Sequence, residues 1–188
     1  MRRLLFAFVL AASLVPVAAH ARSLELSLND DVAQFLVTTQ TRPFGVHNAE
    51  FGVGVLFNDD DDLIGSLRLM STNRVSPSLR LGVGLQGYLG DLDRPDETMG
   101  GIAVGGNVGI GLAAQVPLFL VLEGWVAPGV LSFGDTDKIK EWSARVEAHI
   151  SPHAAFFVGY RQLKVDLETL SRDYEVDDSA FIGVRLGF

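Results

Sequence analysis

Charged side chains of both signs recur at alternate positions in strand-like parts of the sequence. Arg145 and Glu147 lie two residues apart and have apolar residues on either side, and Arg185 has the same setting near the C-terminus. Residues two apart in a β-strand project from one face, so these charges would share a face opposite an apolar one. Carboxylates and guanidinium groups gathered in this way can form ion pairs, or they can line a passage for an ion or a small solute.

The candidate residues for this interior charge network come from most of the chain. They are Glu25, Glu50, Arg68, Arg80, Glu123, Arg145, Glu147, Arg161 and Arg185. The interior of a small barrel is filled by side chains, and buried charges are costly unless they are paired. We therefore favour a salt-bridged interior that fixes the strand register. The alternative is a narrow, charge-lined path of low conductance for small solutes or ions.

A second cluster is the acidic run Asp59, Asp60, Asp61 and Asp62. Carboxylate oxygens suit Ca²⁺ or Mg²⁺, but the run lacks the spaced ligands and the bidentate Glu of an EF-hand loop. We interpret it as a solvated loop and only as a weak candidate for a metal site. One hypothesis is that divalent cations bridge it to lipopolysaccharide phosphates. The chain has no cysteine, and nothing in the sequence predicts a cofactor.

Catalytic chemistry is poorly supported by the sequence. His47 and His153 lie at predicted turns and His149 lies near one, all on one side, and no Ser-His-acid set can meet at the opposite mouth. We predict no catalytic residues and no enzyme activity; a lipid-modifying barrel enzyme is the less favoured alternative. The formal charge of −8 argues against nucleic-acid binding, which favours basic surfaces.

Ten segments alternate in polarity and predict an all-β fold. They span residues 23–29, 32–40, 47–57, 63–72, 78–89, 100–113, 118–131, 139–150, 154–165 and 179–188. Short turns at 73–77, 114–117 and 151–153 alternate with longer polar connections at 58–62, 90–99, 132–138 and 166–178. This asymmetry is typical of a transmembrane antiparallel up-and-down β-barrel with short periplasmic turns and longer acidic extracellular loops. An eight-stranded barrel, with residues 23–40 partly unpaired or forming one bent strand, is the alternative.

The N-terminus predicts export. Arg2 and Arg3 precede an apolar stretch at residues 4–17, and Ala19-His20-Ala21 supplies a small-x-small cleavage pattern. We therefore expect a cleaved signal peptide at residues 1–21 and one barrel domain at 22–188. No later stretch offers about 18 uninterrupted apolar residues, as a spanning helix would require.

The last strand carries a resemblance. Residues 179–188 alternate and end on Phe188, and they resemble the closing strand of bacterial outer-membrane barrels, in which a terminal Phe is part of the assembly signal. Four segments resemble the YfaZ-type family of small outer-membrane β-barrel proteins: 23–34, 50–62, 157–167 and 181–188. The resemblance implies a bacterial outer-membrane barrel of uncharacterised role. Its implied partners are the lipid bilayer, lipopolysaccharide and the barrel-assembly machinery.

Overall fold

The fold is almost entirely β-sheet. The computed structural model describes residues 22–41, 49–93, 97–112, 116–167 and 173–188. The predicted signal peptide, residues 1–21, lies outside this part of the chain. The strands are β1 (Ser23–Leu28), β2 (Val32–Thr41), β3 (Ala49–Asn58), β4 (Leu63–Ser76), β5 (Leu79–Leu92), β6 (Glu97–Leu112), β7 (Leu118–Ala127), β8 (Ser132–Gly134), β9 (Thr136–Ser151), β10 (Ala154–Leu167) and β11 (Tyr174–Gly187). Within the described ranges, no helix is long and apolar enough to cross a membrane.

The sheet closes into a barrel. All pairings between neighbouring strands are antiparallel, β1 pairs with β11, and β5 pairs with β6 to complete the ring. The three-residue strand β8 pairs with β6 beyond the end of β7, so β7 and β8 together occupy one place in the wall. The wall therefore has ten strands, which confirms the prediction. Residues 23–41 form the two strands β1 and β2, so the eight-stranded alternative is wrong.

The strands are strongly tilted. Following the pairings from Leu28 through β2, β3 and β4 leads to Asp91 on β5. Following them the other way round the ring leads to Leu79 on the same strand. This displacement of twelve residues corresponds to a tilt of about 40° for ten strands at normal spacing and rise. Each interior layer is therefore built from residues at different positions along different strands.

In the half of the barrel that carries the turns, the outer face of the wall is apolar and the inner face is polar. We call this half the turn end; it bears the turns at Pro77–Ser78 and Pro152–His153 and the first and last described residues, Arg22 and Phe188. On β5, Leu81, Val83 and Leu85 are exposed on the outside. Val53 and Val55 share this outer face but are buried, because their exposed cross-strand neighbours Leu67 and Phe35 are larger and shield them.

The opposite end of the barrel carries residues 59–62, and we call it the loop end. Toward this end the outer face becomes polar and the inner face becomes apolar. Along β10, Phe156, Val158 and Tyr160 face outward, and the next residues on that face are Gln162 and Lys164. On the inner face the order is reversed, since Arg161 is followed by three buried apolar residues, Leu163, Val165 and Leu167. The strands therefore continue past the predicted segments. β4 reaches Ser76, β6 starts at Glu97 and β11 starts at Tyr174, so the connections are shorter than the polar segments suggested.

An apolar core fills the interior at the loop end. Its largest fully enclosed members are Leu92, Met99, Trp125, Ile139, Leu163 and Val165. They come from five neighbouring strands, β5, β6, β7, β9 and β10. Further buried members of the same cluster lie on the other side of the ring, so it spans the full width of the barrel: Val32 on β2, Leu56 on β3, Ile64 on β4 and Val176 on β11. The interior thus has an apolar half at the loop end and a charged half at the turn end.

Candidate functional site

A four-residue ion cluster lies at the seam between the first and last strands. Arg185 on β11 donates hydrogen bonds to Glu25 Oε2 (2.7 and 2.9 Å) and to both Glu147 carboxylate oxygens (3.0 and 3.1 Å). Arg145 on β9 donates to Glu25 Oε1 at 2.7 Å, and its Nε lies 2.8 Å from Glu147 Oε1. Each carboxylate therefore contacts both guanidinium groups. Glu147 is almost completely buried, so this pairing compensates a charge removed from water.

A second group centres on Arg68 of β4. Its guanidinium lies 2.8 Å from Glu123 Oε1 and donates to Gln86 Oε1 at 2.6 Å. The same Glu123 oxygen accepts a 2.7 Å hydrogen bond from the Trp125 indole, and the Arg68 guanidinium lies 5.1 Å from the centre of that ring. Trp125 belongs to the apolar core, so this group joins the charged half of the interior to the apolar half.

A third group centres on Arg161 of β10. Its Nε donates to Asp177 at 2.5 Å and its Nη1 donates to Gln34. Asp177 also accepts from Ser179 at 2.6 Å and from Asn29 at 3.2 Å. Residue 177 was expected in a polar connection. It lies instead in β11, is 4% exposed and faces inward, because this strand begins five residues earlier than predicted.

Glu141 is a further interior carboxylate that sequence reasoning missed. It is buried, it accepts a hydrogen bond from the Tyr88 hydroxyl, and it accepts one from Gln86 at 3.3 Å. Glu141 has the same position in the alternation as Arg145 and Glu147, so the period-two pattern did contain this signal. It was overlooked because it lies where the polarity of the wall inverts.

The charged half encloses a cavity of about 200 Å³. Eight of the nine predicted network residues line it: Glu25, Glu50, Arg68, Arg80, Glu123, Arg145, Glu147 and Arg185. The ninth, Arg161, lies nearer the loop end in its own pair. The sequence-derived set thus describes the wall of one cavity at the turn end.

Arg80 differs from the other cavity arginines. Its guanidinium stacks on the ring of Phe119, 3.9 Å from the ring centre. Its Nε is buried, and within the part of the chain that the structure describes it has no hydrogen-bond partner. Phe119 is held in turn by an edge contact with His149 at 5.2 Å. The guanidinium is therefore fixed in orientation while one of its donors is unsatisfied.

The acidic run at residues 59–62 forms the connection between β3 and β4. Asp59, Asp60 and Asp61 are exposed, whereas Asp62 is 1% exposed. The Asp62 carboxylate accepts hydrogen bonds from Asn58, Tyr174 and the Asp93 backbone, each at 2.8 Å. Burial, with repulsion from Asp60 and Asp61, raises the pKa of Asp62, and the bonds from Asn58 and Tyr174 partly offset this. Among the described residues, no three His, Cys, Asp or Glu side chains converge as metal ligands would.

Comparison with curated protein sequences finds no match. Among solved structures, the chain is similar to a bacterial polysaccharide outer membrane secretin, with a TM-score of 0.54 and 13% identity over 84% of this chain and 56% of that one. It thus spans little more than half of the secretin chain. It is also similar to the KdgM porin, both in complex with disordered oligogalacturonate (TM-score 0.48) and alone (0.47). Each of these two comparisons has 8% identity over 89% of this chain and 99% of that one.

These likenesses concern the fold, since the identities are low. The sequence itself supplies the family. A family model described as YfaZ precursor matches residues 1–188, the whole chain. The resemblance seen in the sequence is therefore confirmed, and the chain belongs to the YfaZ family.

Proposed function

We propose that the protein is a closed, non-catalytic barrel of the bacterial outer membrane with a structural or surface-interaction role. The observation that carries the proposal is the apolar core across the loop end. Leu92, Met99 and Ile139 are completely buried there, and Trp125 is 1% exposed. Ions or polar solutes crossing the barrel would have to enter this core without hydrogen-bond partners, which is costly.

The outer face supports a position in the bilayer. At the turn end it is apolar, and this band ends at Trp142 and Tyr160, whose rings lie 5.5 Å apart. The Trp142 indole donates to Gln162 at 3.0 Å, and the Tyr160 hydroxyl donates to Asp178. Amphipathic aromatic rings of this kind sit at the headgroup level of membrane barrels. The turn end then faces the periplasm, and the loop end rises above the bilayer.

The C-terminal strand supports assembly as an outer-membrane barrel. Phe188 is exposed, and its backbone N–H donates to the Arg22 carbonyl at 2.9 Å across the seam. Its aromatic ring is therefore accessible at the periplasmic end although its backbone is already fixed. This arrangement suits a residue that the barrel-assembly machinery reads.

Planar-bilayer recording tests the closed barrel. The refolded protein should show heat-modifiable gel mobility, which establishes that the barrel is folded, and should insert without unitary currents. A matched variant, Met99→Gly combined with Ile139→Gly, removes two enclosed core side chains and should conduct more readily than the wild type. Steady unitary currents from the wild type at the same protein load would overturn the proposal.

A narrow channel of low conductance is the second candidate function. The observation that favours it is the cavity of about 200 Å³, which already occupies the charged half of the interior. Conduction would then need only a rearrangement of the loop-end core. In that case the wild type would show small currents, and neutralising Arg68 beside the core would change their ion selectivity.

A further inference from the structure

Two like charges are cross-strand neighbours at the turn end of the barrel, Arg80 in the cavity lining and Arg74 exposed beside it. Arg74 on β4 is the direct cross-strand partner of Arg80 on β5, and both lie on the inner face by the alternation of their strands. Like charges directly opposite in a sheet destabilise it. Neither guanidinium has a carboxylate partner among the residues that the structure describes. The pair is therefore an uncompensated positive site in the charged half of the barrel.

The other charged groups around Arg80 do not neutralise its positive charge. Those acting on it are Arg74, Arg185 and Glu147. Glu147 is already bound by Arg145 and Arg185, so it has little capacity left to compensate a further cation. Glu50 lines the same cavity, but it lies on β3, two strands away from β5, and the cross-strand pairings place it level with Gly84 rather than with Arg80.

The geometry around Arg80 leaves both room and donors. One face of its guanidinium is covered by Phe119, while its buried Nε has no acceptor among the described residues. Gly109 lines the cavity beside it, and a Cβ placed there would meet only Arg80 Cβ at an ordinary contact distance of 3.6 Å. Asn107, also in the lining, donates its amide to the weak acceptor Met70 Sδ at 3.4 Å.

We propose that this part of the cavity is a periplasm-facing binding site for a small oxyanion, with carboxylate or phosphate oxygens as the recognised group. Arg80 donates to the anion through the edge of its guanidinium, the geometry that suits planar, bidentate recognition of such groups. Arg74, its cross-strand partner, adds positive potential at the turn end. The site does not depend on whether the barrel conducts, because Arg80 lies at the turn end beside the exposed Arg74, away from the apolar core.

Calorimetric titration of the folded barrel in detergent tests the site, with inorganic phosphate in one arm and acetate in the other. We expect saturable binding to one site in at least one arm, and the stronger arm identifies the recognised group. Arg80→Gln should weaken this binding at least about tenfold, the scale of one lost charge-assisted hydrogen bond. Arg22→Gln is the matched control: it removes one exposed positive charge at the same end but outside the cavity lining, and should leave the affinity unchanged.

A second variant keeps the test decisive if Arg80→Gln does not fold. Gly109→Leu fills the space beside Arg80 while retaining its charge, so it should abolish binding and preserve heat-modifiable mobility. In the wild type, the Arg80 Nε resonance in ¹⁵N NMR should shift on titration. Three results would overturn the proposal: no saturable binding of either anion by the wild type, equal affinity in wild type and Arg80→Gln, or full affinity in Gly109→Leu.

Discussion

Glu25 on the first strand and Arg185 on the last are cross-strand partners at the barrel seam, and their side chains are joined by two hydrogen bonds of 2.7 and 2.9 Å to one carboxylate oxygen. The two residues are 160 positions apart in the sequence, so the bond exists only when the ring is closed. Arg145 and Glu147 complete the cluster around it. The closure of the barrel is therefore stabilised by charge as well as by backbone pairing.

Arg185→Ala should lower the free energy of unfolding by about 3–5 kcal/mol, because Glu25 and Glu147 would then share the single cation Arg145. Urea unfolding in detergent micelles, followed by tryptophan fluorescence, measures the loss. Lys164→Ala is the control, since it breaks the more exposed pair with Glu175 and should cost at most about 1 kcal/mol. Equal losses in the two variants would contradict a special role for the seam cluster.

Arg145→Ala should lower the thermal stability of the barrel without opening a pore. The substitution removes a cation that contacts both buried carboxylates, but the apolar core at the loop end is untouched. The temperature at which heat-modifiable mobility is lost measures the first effect, and bilayer recording measures the second. Glu147→Ala should behave in the same way. An unchanged melting temperature in both variants would remove the structural role of the network.

Ile139→Ala should cost about 2–5 kcal/mol of unfolding free energy, because Ile139 is completely enclosed in the loop-end core and its truncation leaves a cavity. Ile182→Ala is the matched control: it makes the same chemical change at a residue that is 65% exposed on the outer face. Its cost should be clearly smaller, because lipid or detergent can fill the space that the side chain leaves. The urea midpoints of the two variants measure this difference. A larger loss of stability in Ile182→Ala than in Ile139→Ala would contradict a stabilising core at the loop end.

Asp62→Asn should change how stability depends on pH. The pKa of Asp62 is raised in the folded protein, so the folded state holds this proton more tightly than the unfolded state. The contribution of Asp62 to stability is then greatest below its ordinary pKa and is lost as the pH rises through the folded value. The stability of the wild type relative to Asp62→Asn should therefore fall over that interval. Urea midpoints at a series of acidic pH values measure it.

Tyr174→Phe supplies the complementary test of the Asp62 prediction. The Tyr174 hydroxyl donates to the carboxylate at 2.8 Å and favours its charged form. Its removal should raise the pKa of Asp62 further and move the loss of stability to higher pH. A constant difference between the wild type and Asp62→Asn across the interval would contradict the raised pKa.

The alternation in the sequence predicted the wall of the barrel well where the outer face is apolar. On β5, the contrast between Leu81 or Val83 and the intervening glycines indicates both the strand and its outward face. It predicted less well beyond Arg161, because the polar residues change from the inner to the outer face there while the backbone alternation continues. For this reason Asp177 was placed in a connection, and Glu141 was not recognised as an interior residue.

The partners within the charged interior could not be predicted from the pattern. Arg145 meets Glu25 across 120 positions, a contact set by the twelve-residue displacement of the closed sheet. Period-two alternation predicts which residues face inward. It does not predict which inward side chains of different strands lie at the same level of the barrel. For the same reason, the alternation could not predict that Arg80 has no carboxylate partner among the described residues. That outcome depends on Glu147 being paired with Arg145 and Arg185.

The inversion of polarity along the wall would determine how deeply the barrel lies in a bilayer. Sinking by a few residues would carry Gln162, Lys164 and Glu175 into hydrocarbon, and rising would expose the apolar belt below Tyr160 to water. In the proposed membrane orientation, displacement along the bilayer normal would therefore be costly in either direction. The part above the headgroups, polar outside and apolar inside, obeys the rules of a water-soluble protein. Its apolar core is enclosed by its own strands, so this part would not need lipid contact for its cohesion, and in the proposed orientation it would stay at a fixed height above the bilayer.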